Sequence, residues 1–194
     1  MNPVPHIQDF SDEQLSELYA WPQSRTLRCN LVMNSENDVK GADGTSLSLT
    51  NEEDRRLLRI IRANADVVII GASSIRAEGW FLPPQGRLCV LSLSGVLPWE
   101  TCPDRSRVFV YQSVESLIHG LRQHETKILC EGGLVTSQLL AEHYGFDEIA
   151  LSFSQSLSVS ALPNMFVHDD EFDLVLEMQD LEHNMAFGLW RRAA

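Results

Sequence analysis

Between Lys127 and Phe153 the spacing of apolar residues changes period twice. Lys127–Cys130 is a short apolar run of strand length, and Glu131-Gly132-Gly133 breaks it. Leu134, Leu139, Leu140 and Tyr144 then recur at helical spacing. Gly145 suits a helix C-cap, and Asp147–Phe153 resumes a strand pattern. The same grammar appears upstream. Ala65–Ile70 is apolar apart from Asp66, and its β-branched content predicts a strand buried on both faces, as in a parallel sheet. Gly71-Ala72-Ser73-Ser74-Ile75 follows at once.

Further elements fall around these two units. Ser11-Asp12-Glu13-Gln14 predicts a capping box opening a helix to about Tyr19, and Thr50-Asn51-Glu52-Glu53 predicts a second one. Leu57, Leu58, Ile61 and Ala65 give the helix after that box its apolar face. Leu27–Met33, Leu88–Leu93 and Val108–Tyr111 read as strands. Ser113 caps a helix carrying Val114, Leu117, Ile118 and Leu121. Phe172–Met178 and Ala186–Arg191 read as a terminal antiparallel hairpin. Strands alternating with helices through the middle predict a three-layer α/β/α domain with right-handed crossovers and a mostly parallel, mixed sheet. The reading is one domain over residues 1–194, with a helical arm over 1–25. Asn34–Ser48 is a loop long enough to suggest a function.

The two glycine turns are the first candidate chemistry. A small-residue turn between a strand end and a helix start exposes backbone N–H groups, and the helix dipole adds partial positive charge there. Such a turn suits a phosphate or diphosphate. It also suits a tight connection with no ligand, since short strand–helix loops need glycine anyway. Two such turns at the carboxyl ends of strands favour a ligand. Glu131 would repel a phosphate, so it is expected to accept backbone N–H bonds or to orient the turn.

Composition narrows the classes. The chain has 194 residues, 44% hydrophobic, with a net charge of −12. That charge argues against a nucleic-acid surface but leaves room for a small anionic ligand held by local potential. No apolar run approaches the roughly 18 residues of a membrane span, and no signal-peptide pattern opens the chain. Cys29, Cys89, Cys102 and Cys130 are scattered without CxxC. Cys29, Cys89 and Cys130 lie in apolar strand-like runs and read as ordinary buried thiols, which suits a reducing cytoplasm, and no metal site is expected. GxGxxG and GxxxxGK[ST] are absent, as is the HxE and PCxxC pairing of zinc deaminases. Gly71–Ile75 lacks the last glycine of a serine-hydrolase elbow. None of the six histidines is assigned to catalysis.

In order and spacing the motifs resemble the reductase domain of riboflavin biosynthesis, the C-terminal part of bifunctional deaminase-reductases, which has a dihydrofolate-reductase-like fold. Leu18-Tyr19-Ala20-Trp21-Pro22 looks like the lead-in of stand-alone members. Asn30–Asn37 sits where the family has a strand running into Ser-Leu-Asp-Gly. Arg62–Asp66 followed by Val67–Gly71 is similar to its LRA-x-AD…vG segment, and Gly71–Gly79 looks like GAGTVRAEGY. Cys130–Gly133 with Asp147-Glu148 looks like its EGG…DE pair.

The resemblance implies an NADPH-dependent reductase, a homodimer, acting on a small pyrimidine- or pterin-like molecule. By position it implies that Gly71, Ala72, Ser74 and Ile75, with Glu131, Gly132, Gly133 and Leu134, hold the cofactor. Ser92 and Ser94 stand at its ribose end. Asn34, Asn37 and Gly41 border the nicotinamide and substrate. Glu36 becomes the polar anchor or proton relay, against the plainer reading of a solvated loop carboxylate. Arg76 pairs with a phosphate of cofactor or substrate, or else is a surface arginine near Glu78.

The departures also lie at the site. Asp-Gly becomes Glu36-Asn37. The glycine-rich stretch after the last inner strand becomes Ser154–Ala161, without glycine, and Trp80–Pro84 replaces the phosphate-reading segment. These departures support an alternative: a nucleotide-binding or interaction protein on the same fold that no longer turns over substrate.

Overall fold

A computed structural model describes residues 3–159, 162–163, 166 and 172–193. Two residues of the Ser154–Ala161 stretch, Ser160 and Ala161, lie outside the described residues, as does His168.

The strands are β1 (Thr26–Met33), β2 (Val67–Gly71), β3 (Arg87–Leu91), β4 (Val108–Tyr111), β5 (Lys127–Cys130), β6 (Glu148–Ser154), β7 (Phe172–Asp180) and β8 (Met185–Arg192). The helices are α1 (Asp12–Leu18), α2 (Glu52–Ala63), α3 (Ala72–Glu78), α4 (Val114–His119) and α5 (Leu134–Tyr144). All eight strands join one sheet in the order β4-β3-β2-β5-β1-β6-β8-β7. The first six strands run parallel; β8 pairs antiparallel with β6, and β7 with β8. Crossovers through helices therefore bring the carboxyl ends of β1, β2 and β5 side by side.

The central strands are buried on both faces, as their continuous apolar runs require. Alternation sends Cys29, Leu31, Met33, Ile69 and Cys130 to the core shared with α4 and α5. Val68, Ile70, Leu129 and Val90 face the core shared with α1, α2 and α3. The sheet with helices on both faces is the expected three-layer arrangement.

The N-terminal arm packs into the body: Ile7, Leu15 and Tyr19 are buried. Arg28, fully buried on β1, ties it there by donating to the Tyr19 carbonyl at 2.9 Å and to Glu148 at 2.8 Å. In place of the second expected capping box, α2 has a side-chain N-cap one residue further on. Asn51, not Thr50, is the N-cap of α2, and its side chain accepts from the Asp54 N–H at 2.8 Å. Asn supplies the acceptor with a shorter reach to the third helical N–H. Phe187, Leu189 and Trp190 of β8 are buried in the protein's own core. On the edge strand β7, Leu174 and Val175 are exposed.

Candidate active site

A cleft of about 330 Å³ opens at the carboxyl edge of the sheet. Its floor is β1, with Leu31 and Val32. One wall is α2, with Asp54, Leu58 and Arg62. The opposite wall is Ser74 and Glu78 of α3 with Trp80 and Phe81. Glu131 and Gly133 close one end, and Val39, Lys40, Ser46 and Leu47 of the long loop cover the other side. Glu78 fastens that loop, accepting from both the N–H and the hydroxyl of Ser46 at 2.9 Å.

Both glycine turns meet here. Helices α1, α2 and α4 are capped by the side chains of Ser11, Asn51 and Ser113. Helices α3 and α5, which begin at Gly71 and Gly133, have no side-chain cap. Their first N–H groups are therefore left for a ligand or solvent. The two turns face each other: a Cβ built on Gly133 would meet only the Ser74 hydroxyl, at 3.9 Å. A backbone turn with no side chain at 133, beside uncapped helix starts, suits the diphosphate of a dinucleotide.

The other expected cofactor residues contribute differently. Ala72 and Ile75 are buried with their side chains in the core, so they offer backbone only. A Cβ on Gly132 would overlap Thr136, and one on Gly71 would lie 2.7 Å from the Thr136 hydroxyl. These two glycines serve the packing of the turns onto α5. Leu134 opens α5 and does not line the cleft. Ser92 is buried and its hydroxyl accepts from the Gly95 N–H; Ser94 is exposed and accepts from the Val96 N–H.

Glu131 departs from the expectation that backbone N–H groups hold it. Its carboxylate is held by Arg62, whose Nε donates to Oε1 at 2.8 Å, and the Arg62 guanidinium lies 4.1 Å over the Phe81 ring. The pair neutralises the charge that would repel a phosphate at the turn.

The substrate residues implied by resemblance lie apart from the cleft. Asn34 accepts from the N–H groups of Glu36 and Asp38, closing a compact turn. Asn37 sits in it at φ 65°, a left-handed position that asparagine tolerates better than other side chains. This accounts for asparagine where the family has glycine. Glu36 is exposed and does not line the cleft. Neither does Gly41, whose Cβ position is filled by Ser48. Arg76 is exposed on the outer side of α3 and donates to the Val96 carbonyl at 3.1 Å.

The carboxylate that does face the cleft is Asp54, 7% exposed. Burial pushes its carboxyl up from the ordinary value, against hydrogen bonds from Ser152 and Thr50 and the pull of Arg55 and Arg62. Asp54 forms no ion pair among the described residues. A buried acid whose pKa is raised is suited to holding or passing a proton in a site. It escaped the sequence reading because an acid in the first turn of a helix reads as a partner of the dipole. Its spacing to Leu57 and Leu58 nevertheless puts it on the apolar face.

No family model and no curated protein matches the chain. Solved structures do. A pyrimidine reductase-like protein from Corynebacterium diphtheriae superposes with a TM-score of 0.72 at 15% identity, over 93% of this chain and 99% of that one. Dihydrofolate reductase from Enterococcus faecalis, solved with NADP(H), matches with a TM-score of 0.61 at 14% identity, over 88% of this chain and 98% of that one. The chain has the dihydrofolate-reductase-like fold. A deaminase/5-amino-6-(5-phosphoribosylamino)uracil reductase from Thermotoga maritima matches at 0.63 and 17% identity, over 88% of this chain. The match spans 57% of that longer bifunctional protein. Among the described residues no helix is long and apolar enough to cross a membrane, and no metal-ligating cluster occurs.

Proposed function

We propose that the protein is an NADPH-dependent reductase of a small pyrimidine- or pterin-like ring compound, similar to 5-amino-6-(5-phosphoribosylamino)uracil reductase and working as a homodimer. One observation carries this reading. The two uncapped helix starts and the buried Asp54 converge on a single cleft of about 330 Å³, at the low end of the range for small-molecule sites.

Bound there, NADPH supplies the hydride. The N–H groups at the starts of α3 and α5 hold its diphosphate, with Ser74 and Gly133 lining the approach. Arg62 keeps Glu131 from repelling it. Val32, Leu58 and Phe81 flank the substrate ring and exclude water. Asp54 accepts a hydrogen bond from a ring N–H and holds or passes a proton at its carboxyl oxygen. Lys40 and Arg55 at the rim suit an anionic substituent on the ring.

A second reading, a nucleotide-binding or interaction protein without turnover, is favoured by the Asn34–Asp38 turn. That turn is satisfied within itself and holds Glu36 outside the cleft. NADPH oxidation against a panel of pyrimidine, pterin and flavin compounds, with calorimetry of NADPH binding, separates the two. Turnover on any compound supports the reductase; binding without turnover supports the second reading. No binding at millimolar NADPH overturns the reductase and leaves only the interaction half of the second reading.

A further inference from the structure

At the opposite edge of the sheet, by the amino ends of β2, β3 and β4, lies a separate cleft of about 310 Å³. Three arginines, Arg87, Arg107 and Arg122, line it together with His124, against two carboxylates, Asp66 and Glu125. The excess of positive charge is local to a chain of net charge −12.

The carboxylates are committed inward. Asp66 accepts from the N–H groups of Thr126 and Lys127 at 2.8 and 2.9 Å. Glu125 is 3% exposed and takes two bonds from Arg87, at 2.6 and 2.8 Å. Arg87 spends its remaining bonds on the Tyr111 hydroxyl and the Gly120 carbonyl. The other cations keep donors to spare. Arg107 donates through Nε and Nη2 to the carbonyls of Gly86 and Pro83, and its Nη1 has no hydrogen bond among the described residues. The Arg122 guanidinium makes none either. Its side chain is 54% exposed, and its Nε stands 3.9 Å from Glu125. Phe109 gives the cleft an apolar face, flanked by the guanidinium carbons of Arg87 at 4.6 Å and Arg122 at 5.6 Å.

We propose that this cleft is a second ligand site that binds a phosphate monoester of a small organic molecule. Arg122 and Arg107 Nη1 hold the phosphate, and Phe109 packs against the organic part. Spare guanidinium donors beside committed carboxylates suit a dianion. The volume exceeds what a bare phosphate needs, and the ring gives the remainder something to contact.

The test is calorimetry of the full chain with phenyl phosphate and with inorganic phosphate. Phenyl phosphate is expected to bind saturably in the millimolar range or tighter, and at least about tenfold tighter than inorganic phosphate. Arg122→Ala removes a side chain with no hydrogen bond, so the melting temperature should hold while phenyl phosphate affinity falls at least about tenfold. Arg122→Lys should retain part of it, and NADPH binding should be unchanged in both variants. Three outcomes overturn the proposal: no saturable binding of either compound at millimolar concentration, affinity unaltered by Arg122→Ala, or equal affinity for the two compounds.

Discussion

Gly133 and Ser74 face each other at the candidate cleft, where a Cβ at 133 would stand in ordinary van der Waals contact with the Ser74 hydroxyl, 3.9 Å away, and would overlap nothing. Gly133 has φ −52°, which any residue adopts. Gly133→Val should therefore fold, while its methyls occupy the space where the diphosphate approaches. The expected result is a loss of NADPH affinity of at least about tenfold with a melting temperature close to that of the parent. Calorimetry and a thermal melt read the two quantities separately. Retained affinity would place the cofactor elsewhere.

The adjacent glycine should behave oppositely. A side chain at 132 overlaps Thr136, which is itself 7% exposed and cannot swing into solvent. Gly132→Val should cost about 1–3 kcal/mol of stability through overpacking, read as a lowered urea midpoint. A Gly132→Val protein as stable as the parent would mean that α5 shifts freely on the sheet.

His183 and Asp180 give stability a dependence on pH. Asp180 is buried at the β7–β8 turn, and its carboxylate accepts from Gln8 at 2.8 Å and Asn51 at 3.0 Å and contacts the His183 ring at 2.8 Å. Its hydrogen bond to His183 raises the pKa of the imidazole. The folded state then holds that proton more tightly than the unfolded state does. The stabilisation is complete below the unfolded pKa and is lost as pH rises through the folded one. His183→Ala should lower the melting temperature on the acid side of the histidine range and converge with the parent on the alkaline side. The ring is 45% exposed, so added salt should shrink the difference.

The sheet has two edge strands, β4 and β7, and β7 is the one that exposes large apolar residues for the proposed dimer. Among the described residues β7 pairs only with β8 apart from a single bridge between His6 and Gln179, and Leu174 and Val175 are exposed on it. A second copy pairing antiparallel along β7 would make an isologous two-fold contact and cover an edge that otherwise invites aggregation. Light scattering should give a dimer mass for the parent and a monomer mass for Val175→Lys. A monomeric parent across micromolar concentrations would refute this.

Long-period signals were legible in the sequence. β2 and β5 announce themselves because strands buried on both faces must be apolar throughout, and α5 because Gly145 at φ 70° ends an apolar stripe. Boundaries moved by one or two residues where a side-chain cap decided them, as at Asn51. The site was legible only in part. Of the residues named by motif position, Ser74, Glu131 and Gly133 line the cleft. The course of the 34–51 loop was not readable, because it depends on Ser46 reaching Glu78 thirty-two residues away. Local spacing contains no term for that contact. Glu36 stands outside the cleft because the Asn34–Asp38 turn closes on itself, and Asp54 stands inside it because its spacing puts it on the apolar face of α2.

Those two carboxylates offer the sharpest test. If Asp54 anchors the ring and manages its proton, Asp54→Asn should lower turnover by about 10²–10⁴-fold and leave NADPH affinity within about twofold. The amide keeps the size and most of the hydrogen bonding but cannot carry the proton. Because burial raises the Asp54 carboxyl, the folded state binds its proton more tightly than the unfolded chain. The parent should therefore lose stability as pH rises from the ordinary aspartate range through the raised value, and Asp54→Asn should flatten that part of the profile. Glu36 is exposed, on a turn closed by Asn34. Glu36→Gln should match the parent in turnover and affinity. A large turnover loss in Glu36→Gln with none in Asp54→Asn would reverse the assignment. It would require the Asn34–Asp38 turn to fold into the cleft when substrate binds.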